Sequence, residues 1–465
     1  MRGIGTVYRI EAEQRNALLI FFAFIVFNAI LSFFTIEGAT YTFGGDASSW
    51  YQPTLGLLRF GGFVDPENPD KLLTFRPPLY PLFAALILSL SNGAMWGIVV
   101  GQLMLLFATG WIARAMTNRL LPGYGNLMLV LVVFNPNAFS TAHLFQSDTL
   151  YAFSVTALVW CVLAFSSAPT WSLALGGGLL LGLSLLVRPT LEYMLYVWPL
   201  MMLVLVMLAL GVRAWAKALV MGIVAAAVAI MVATPWMLHN QRAGEGFVLS
   251  SNFLKSTFLW DNIAHLDNYA TSNGLVAASQ ATVEKRARLA IQFGPGFDQL
   301  ADRDKYGFFL KKGSVQFFTY PLSVYARAFG LAWAQFYGAP GVGNIVNLVG
   351  LYKYSALANL GRRQYTNYYD PVLDALKQAN PVLIILTIGG FLFIITVRGL
   401  GSLGLLAIIQ RRLWAVLLII SAGLIYFTVI HLFVANSRYR LPIEPILFLL
   451  ALYGLDGWRR WRVSS

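Results

Sequence analysis

Apolar runs recur along this chain, and they restrict its fold more than any other feature. A bilayer core of about 30 Å takes roughly 20 apolar residues per helix. Runs of that order cover 16–36, 94–113, 124–142, 149–167, 172–188, 191–211, 217–237, 379–397, 413–434 and 442–457. In hydrocarbon the backbone amides have no water to bond, so such runs fold as helices. Of the 465 residues, 58% are hydrophobic and only 11% charged, against about a quarter charged in soluble domains. The sequence predicts an all-α polytopic membrane protein of about ten transmembrane helices.

A further apolar stretch, 77–91, is short and opens Pro77-Pro78-Leu79-Tyr80-Pro81. Charge decides how to treat it. If it lies in the interface or re-enters, thirteen basic residues of the short loops and ends fall on one side: Arg2, Arg9, Arg15, Arg114, Arg119, Arg213, Lys217, Arg398, Arg411, Arg412, Arg459, Arg460 and Arg462. Six fall opposite, namely Arg59, Lys71, Arg76, Arg188, Arg438 and Arg440. Short cytoplasmic loops carry such an excess. The expectation is ten spans with both termini cytoplasmic and 77–91 not crossing. The net charge of +13 is then topological, and with no basic helix or aromatic–basic motif it implies no nucleic-acid partner.

Three regions follow. Residues 1–237 form a seven-span module with a first extracytoplasmic loop at 37–93. Residues 238–378 form an extracytoplasmic and interfacial helical segment, whose part 306–337 reads as amphipathic helix broken at Pro321. Residues 379–465 add three closing spans. No repeat relates the two halves, unlike many carriers.

Several polar groups converge at the extracytoplasmic ends of these spans. Asp46 follows span one, Arg76 precedes "PPLYPLF", Asp148 opens span four and Arg188 ends span five, with Glu192 a turn beyond. His239 and Asn240 follow span seven, and Arg438, Tyr439 and Arg440 precede the last span. Charge at membrane depth is costly and usually faces a cavity or a partner. Each residue also admits a duller role: Asp46 as a turn residue, Asp148 as a helix cap, the arginines as snorkelling anchors, and Trp50, Tyr51, Tyr80 and Tyr439 as an aromatic belt. Their shared side favours a site. Carboxylates beside arginines suit an acid/base group working next to a bound phosphate. The four histidines lack metal-ligand spacing, no phosphate-binding glycine loop occurs, and no metal or cofactor is implied. The single cysteine, Cys161, reads as a small core residue.

The motifs also carry a resemblance. An Asp after the first span, "RPPLYPLF", "SDTLYAF", "RP" ending a span, "PW..HNQ...GEGFVLSSN" and "SRYRLPIEPILFLLALYGL" together resemble the bacterial branch of the GT-C glycosyltransferases. That branch includes protein O-mannosyltransferase-like enzymes and the aminoarabinose and galacturonic acid transferases of lipopolysaccharide. The likeness is strongest over 16–255, weak over 256–378 and clear again over 430–457. It implies a GT-C fold in the bacterial cytoplasmic membrane, with an extracytoplasmic active site. It also implies sugar transfer from a polyprenyl-phosphate-linked donor to a cell-envelope acceptor: a lipid, a glycan such as lipopolysaccharide, or a protein. Asp46 then matches the first-loop catalytic carboxylate, Asp148 the second-loop acidic residue, and Arg188 the basic residue on the lipid phosphate. Arg76, Arg438 and Arg440 are further candidates for that phosphate. Tyr51, Tyr80, Glu192, His239, Asn240 and Tyr439 are candidates for the substrate cavity. Asp46 is followed by Ala47, whereas the mannosyl- and aminoarabinose-transferring enzymes have Asp-Glu there, and there is no Asp-x-Asp of the oligosaccharyltransferase kind. On this expectation Asp46 is the general base of an inverting transfer, and Gly44, Gly45, Gly61 and Gly62 let the loop approach its substrate. The competing expectations are a lipid flippase or carrier, and a non-catalytic scaffold of polysaccharide assembly.

Overall fold

The computed structural model describes residues 2–34, 46–271, 274–342, 345, 348, 381–431, 433–434 and 436–464. Gly44 and Gly45 lie outside the described residues. Among those described the chain is helical, its one extended pairing being the bridge between Val64 and Leu72. The α-helices in chain order are α1 (Arg2–Phe34), α2 (Ala47–Phe60), α3 (Leu79–Leu90), α4 (Met95–Leu120), α5 (Gly125–Val133), α6 (Pro136–Thr141), α7 (Asp148–Ser167), α8 (Trp171–Val187) and α9 (Met194–Leu210). There follow α10 (Trp215–Arg242), α11 (Asn252–Thr271), α12 (Leu275–Phe293), α13 (Asp302–Phe317), α14 (Leu322–Gly338), α15 (Pro381–Gln410), α16 (Trp414–His431) and α17 (Glu444–Ser464).

Among the described residues seven segments are long and apolar enough to cross a membrane: Ala12–Ser32, Met95–Leu120, Asp148–Ser167, Val212–Arg242, Ile384–Gln410, Trp414–His431 and Ser437–Arg462. The chain is an α-helical membrane protein. Two of the ten sequence-predicted spans, 172–188 and 191–211, appear as shorter apolar helices of 17 residues each. A third, 124–142, is not one helix. It breaks at Asn135-Pro136, where Pro136 has no amide to continue the ladder and the Asn135 side chain accepts a bond from the amide of Asn137. The predicted span 379–397 runs on to Gln410, so Arg398 lies inside a helix and not in a loop. Its guanidinium reaches the Tyr337 carbonyl and Glu444.

Helix α3 has 12 residues, about 18 Å at 1.5 Å per residue, too short to cross alone. It lies antiparallel beside the first turns of α4: Tyr80 donates to Gln102 at 3.3 Å, and a Cβ on Gly97 would meet Ser91 Oγ. The expected break at Pro321 is present, between α13 and α14.

Small residues let the helices touch. Helices α15 and α17 run antiparallel so closely that a Cβ on Gly404 would sit 1.8 Å from the Leu450 carbonyl oxygen, and one on Gly454 2.0 Å from that of Leu400. Without a hydrophobic driving force between helices in lipid, such close backbone packing supplies the contact energy. Around the exposed apolar surface of the bundle, side chains such as Leu86, Met104, Met231 and Ile385 point outward, as expected of lipid-facing positions.

Candidate functional site

Asp46 directly precedes α2. Its side chain makes no capping bond to that helix; its backbone carbonyl instead takes the Ser49 hydroxyl at 2.6 Å. The carboxylate is therefore free to face other partners. Arg438 Nη2 lies 2.7 Å from Asp46 Oδ2, and Arg76 Nη2 lies 3.9 Å from Oδ1. The Asp46 side chain remains 42% exposed. Partial burial pushes its carboxyl pKa up, but Arg438 and Arg76 outweigh that and hold it below the ordinary value. Asp46 stays ionised at neutral pH.

Each arginine is fixed by its own surroundings. Arg76 donates twice to the Ser49 hydroxyl, at 3.0 and 2.7 Å, and lies over the rings of Trp50 and Phe75. Burial brings its pKa down to about 10, with Asp46 opposing. Arg438 belongs to the 3-10 helix Ser437–Ile443, whose start is capped by Asn436. Its Nη1 donates to Gln146 Oε1 at 2.5 Å. The helix break at Asn135 has a purpose here, because Asn137 donates to the Ser437 carbonyl at 2.7 Å and ties α6 to this segment.

Arg188 ends α8 in extended backbone, φ −147° and ψ 130°, the conformation a following proline imposes. Its Nη2 is 2.6 Å from Asp148 Oδ2 and its Nε donates to Ser147 at 2.7 Å. Asp148 is buried and is held by Arg188, without acting as the cap of α7. The turn before it is pinned by Gln102, which donates to the carbonyls of Ala142 and Leu144.

These groups border a cavity of about 230 Å³. Of the residues singled out in the sequence, Asp46, Trp50, Arg76, Arg188, Glu192 and Tyr439 line it. Arg438 joins it through Asp46. Tyr439 stacks on His431, centroids 4.7 Å apart and planes 3° from parallel, and Glu192 accepts from Ser250 at 2.7 Å.

Other candidates stand elsewhere. Arg440 is fully buried and bonds Glu444 at 2.5 Å, the Phe336 carbonyl and the Ala339 carbonyl at 2.9 Å. It joins the end of α14 to the start of α17 and is not placed to hold a substrate phosphate. Alternate residues of a tight helix diverge, so Arg438 and Arg440 point to different partners. Asn240 is buried, donating to Val248 and Leu249. His239 stacks on Trp236 and bonds the Leu73 carbonyl. Tyr80 is buried, edge-on to Trp50 and Phe145, and Tyr51 also packs on Phe145. These four support the wall from outside the cavity.

Sequence reading missed one whole side of the cavity. Leu254, Lys255, Phe258 and Asp261 of α11 line it, and 254, 258 and 261 fall at i, i+4 and i+7, one helical stripe. Asp261 opens to the cavity, yet the surrounding protein raises its pKa to about 6; Arg286 opposes and the Asp46 charge adds to the rise. Among the described residues no group of three or more His, Cys, Asp or Glu is placed to hold a metal ion. No family model, curated protein or solved structure matches the chain.

Proposed function

We propose that this protein is an inverting glycosyltransferase that takes a sugar from a polyprenyl-phosphate carrier and passes it to a hydroxyl of a cell-envelope acceptor. The observation that carries this reading is the ionised, half-exposed Asp46 carboxylate, set between Arg438 and Arg76 on a cavity with Arg188. The ordered motifs shared with GT-C enzymes support it, as does a polar site built into an apolar helical bundle. On this reading the fold is a GT-C fold and the site faces the extracytoplasmic side of the bacterial inner membrane, with both termini cytoplasmic.

The chemistry follows from the groups. The acceptor oxygen attacks the anomeric carbon from the face opposite the phosphate, and Asp46 takes the acceptor's proton as that bond forms. The bond from the anomeric carbon to the phosphate oxygen breaks, and its electron pair stays on the leaving polyprenyl phosphate. That phosphate gains negative charge, which the cations of the cavity stabilise. Asp148 serves by positioning Arg188, since it is buried against it and does not line the cavity.

The test is incubation of the purified protein with a panel of polyprenyl-phosphate sugars and membrane lipid extracts. The expected result is transfer of one sugar with inverted anomeric configuration. Absence of transfer from every donor, together with ATP-independent movement of prenyl lipid across vesicles, would replace this reading with a carrier.

A further inference from the structure

The cations of the cavity are not equally available to an anion. Asp46 engages Arg438 and Arg76, and Asp148 engages Arg188. An incoming phosphate that took Arg188 would leave the buried Asp148 charge without its partner, which is strongly unfavourable. One that took Arg76 or Arg438 would compete with the Asp46 carboxylate already there. Each arginine charge is largely spent before a ligand arrives.

Lys255 is different. It sits in the first turn of α11 and lines the cavity beside Leu254 and Phe258. Among the described residues no hydrogen bond or ion pair engages its ammonium. Of the nearby carboxylates, Glu245 feels the Lys255 charge at a distance but makes no ion pair with it and accepts the Asn252 amide at 3.1 Å, Glu192 holds the Ser250 hydroxyl, and Asp261 lies further along the same helix. Its flexible stem carries three donors that can turn to meet an oxygen. The positive end of the α11 dipole adds to the same potential.

We propose that Lys255 is the residue that receives the anionic group of the substrate, a phosphodiester carried on a prenyl chain. This rests on the reading of the site as a polyprenyl-phosphate site and moves the first phosphate contact from the arginine wall to α11. Arg76 and Arg438 then hold Asp46 in place, and Arg188 holds Asp148, until the leaving phosphate develops its second charge. The aliphatic stem of Lys255, with Leu254 and Phe258, offers the first carbons of the chain an apolar surface beside the charge.

The experiment uses the full chain in nanodiscs and two probes, farnesyl methyl phosphate, which holds one negative charge, and the uncharged farnesyl methyl ether. Wild type is expected to prefer the charged probe. Lys255→Gln should reduce that preference by roughly tenfold, the scale of one charge-assisted hydrogen bond, and leave ether binding unchanged. Lys255→Arg, which keeps the charge, should retain most of it. A wild-type preference that persists in Lys255→Gln overturns the assignment of Lys255 and leaves the polyprenyl-phosphate reading standing. A loss that Lys255→Arg shares in full also overturns it, because charge is then not the cause. If wild type binds the two probes equally, the polyprenyl-phosphate reading itself fails and Lys255 falls with it.

Discussion

Arg438 and Asp46 are 392 positions apart in the chain, and their side chains meet at 2.7 Å. This pair gives Asp46 two opposed effects. It keeps the carboxylate ionised and ready for a proton, and it occupies an arginine that an anion would otherwise attract. Asp46→Asn should therefore separate chemistry from binding. Transfer should fall by about 10²–10⁴-fold, the usual contribution of a general base. Affinity for farnesyl methyl phosphate should rise, because Arg438 and Arg76 lose their competitor. Rate and affinity measured on the same preparation check both. Near-wild-type transfer would remove Asp46 as the base.

Arg188 and Asp148 make the other close pair, 2.6 Å apart with Asp148 2% exposed. Removing one partner of a buried pair costs about 3–5 kcal/mol. Arg188→Ala should accordingly lower the melting temperature well before any binding effect is read. Asp148→Leu combined with Arg188→Met should recover much of that loss, since no unpaired charge remains. Melting curves of the single and double variants in one detergent decide it. A stable Arg188→Ala protein that has lost only donor affinity would make Arg188 the phosphate ligand.

Asp261 should give donor binding a pH dependence. Its pKa stands at about 6, raised chiefly by burial, with Arg286 opposing and the Asp46 charge adding to the rise. As pH rises through that value, Asp261 ionises and the cavity gains a negative charge. A phosphodiester keeps one charge over the same range, so its affinity should fall between pH 5 and pH 7. Asp261→Asn should flatten the profile. Binding of farnesyl methyl phosphate measured across that range tests this, and an unchanged slope in the variant would place the titrating group elsewhere.

The proposed orientation has its own test. In a Cys161→Ala background, Ser48→Cys and Arg242→Cys should react with an impermeant thiol reagent in intact cells, whereas Arg119→Cys and Arg459→Cys should not. All four native positions are exposed. Labelling at 119 without labelling at 48 would invert the topology and put the site on the cytoplasmic side.

Much of the fold is legible in the chain because its causes are local. An apolar run in lipid must satisfy its own amides, so helix is the only outcome, and Pro321 ends one helix where its missing amide requires. The break at Asn135-Pro136 carries the same punctuation, a capping side chain followed by proline, and hydropathy alone conceals it. Arg398 misleads for a related reason: a lone charge looks like the end of a span, yet Glu444 and the Tyr337 carbonyl hold it within α15. The stripe of Leu254, Phe258 and Asp261 is also written in the sequence, as helical spacing. What the spacing cannot say is which surface that stripe faces. Arg438 and Arg440 share a motif and a charge, but one meets Asp46 and the other Glu444. Ion pairing depends on a few ångströms of through-space geometry between segments hundreds of residues apart, and only the packing of the helices sets that distance.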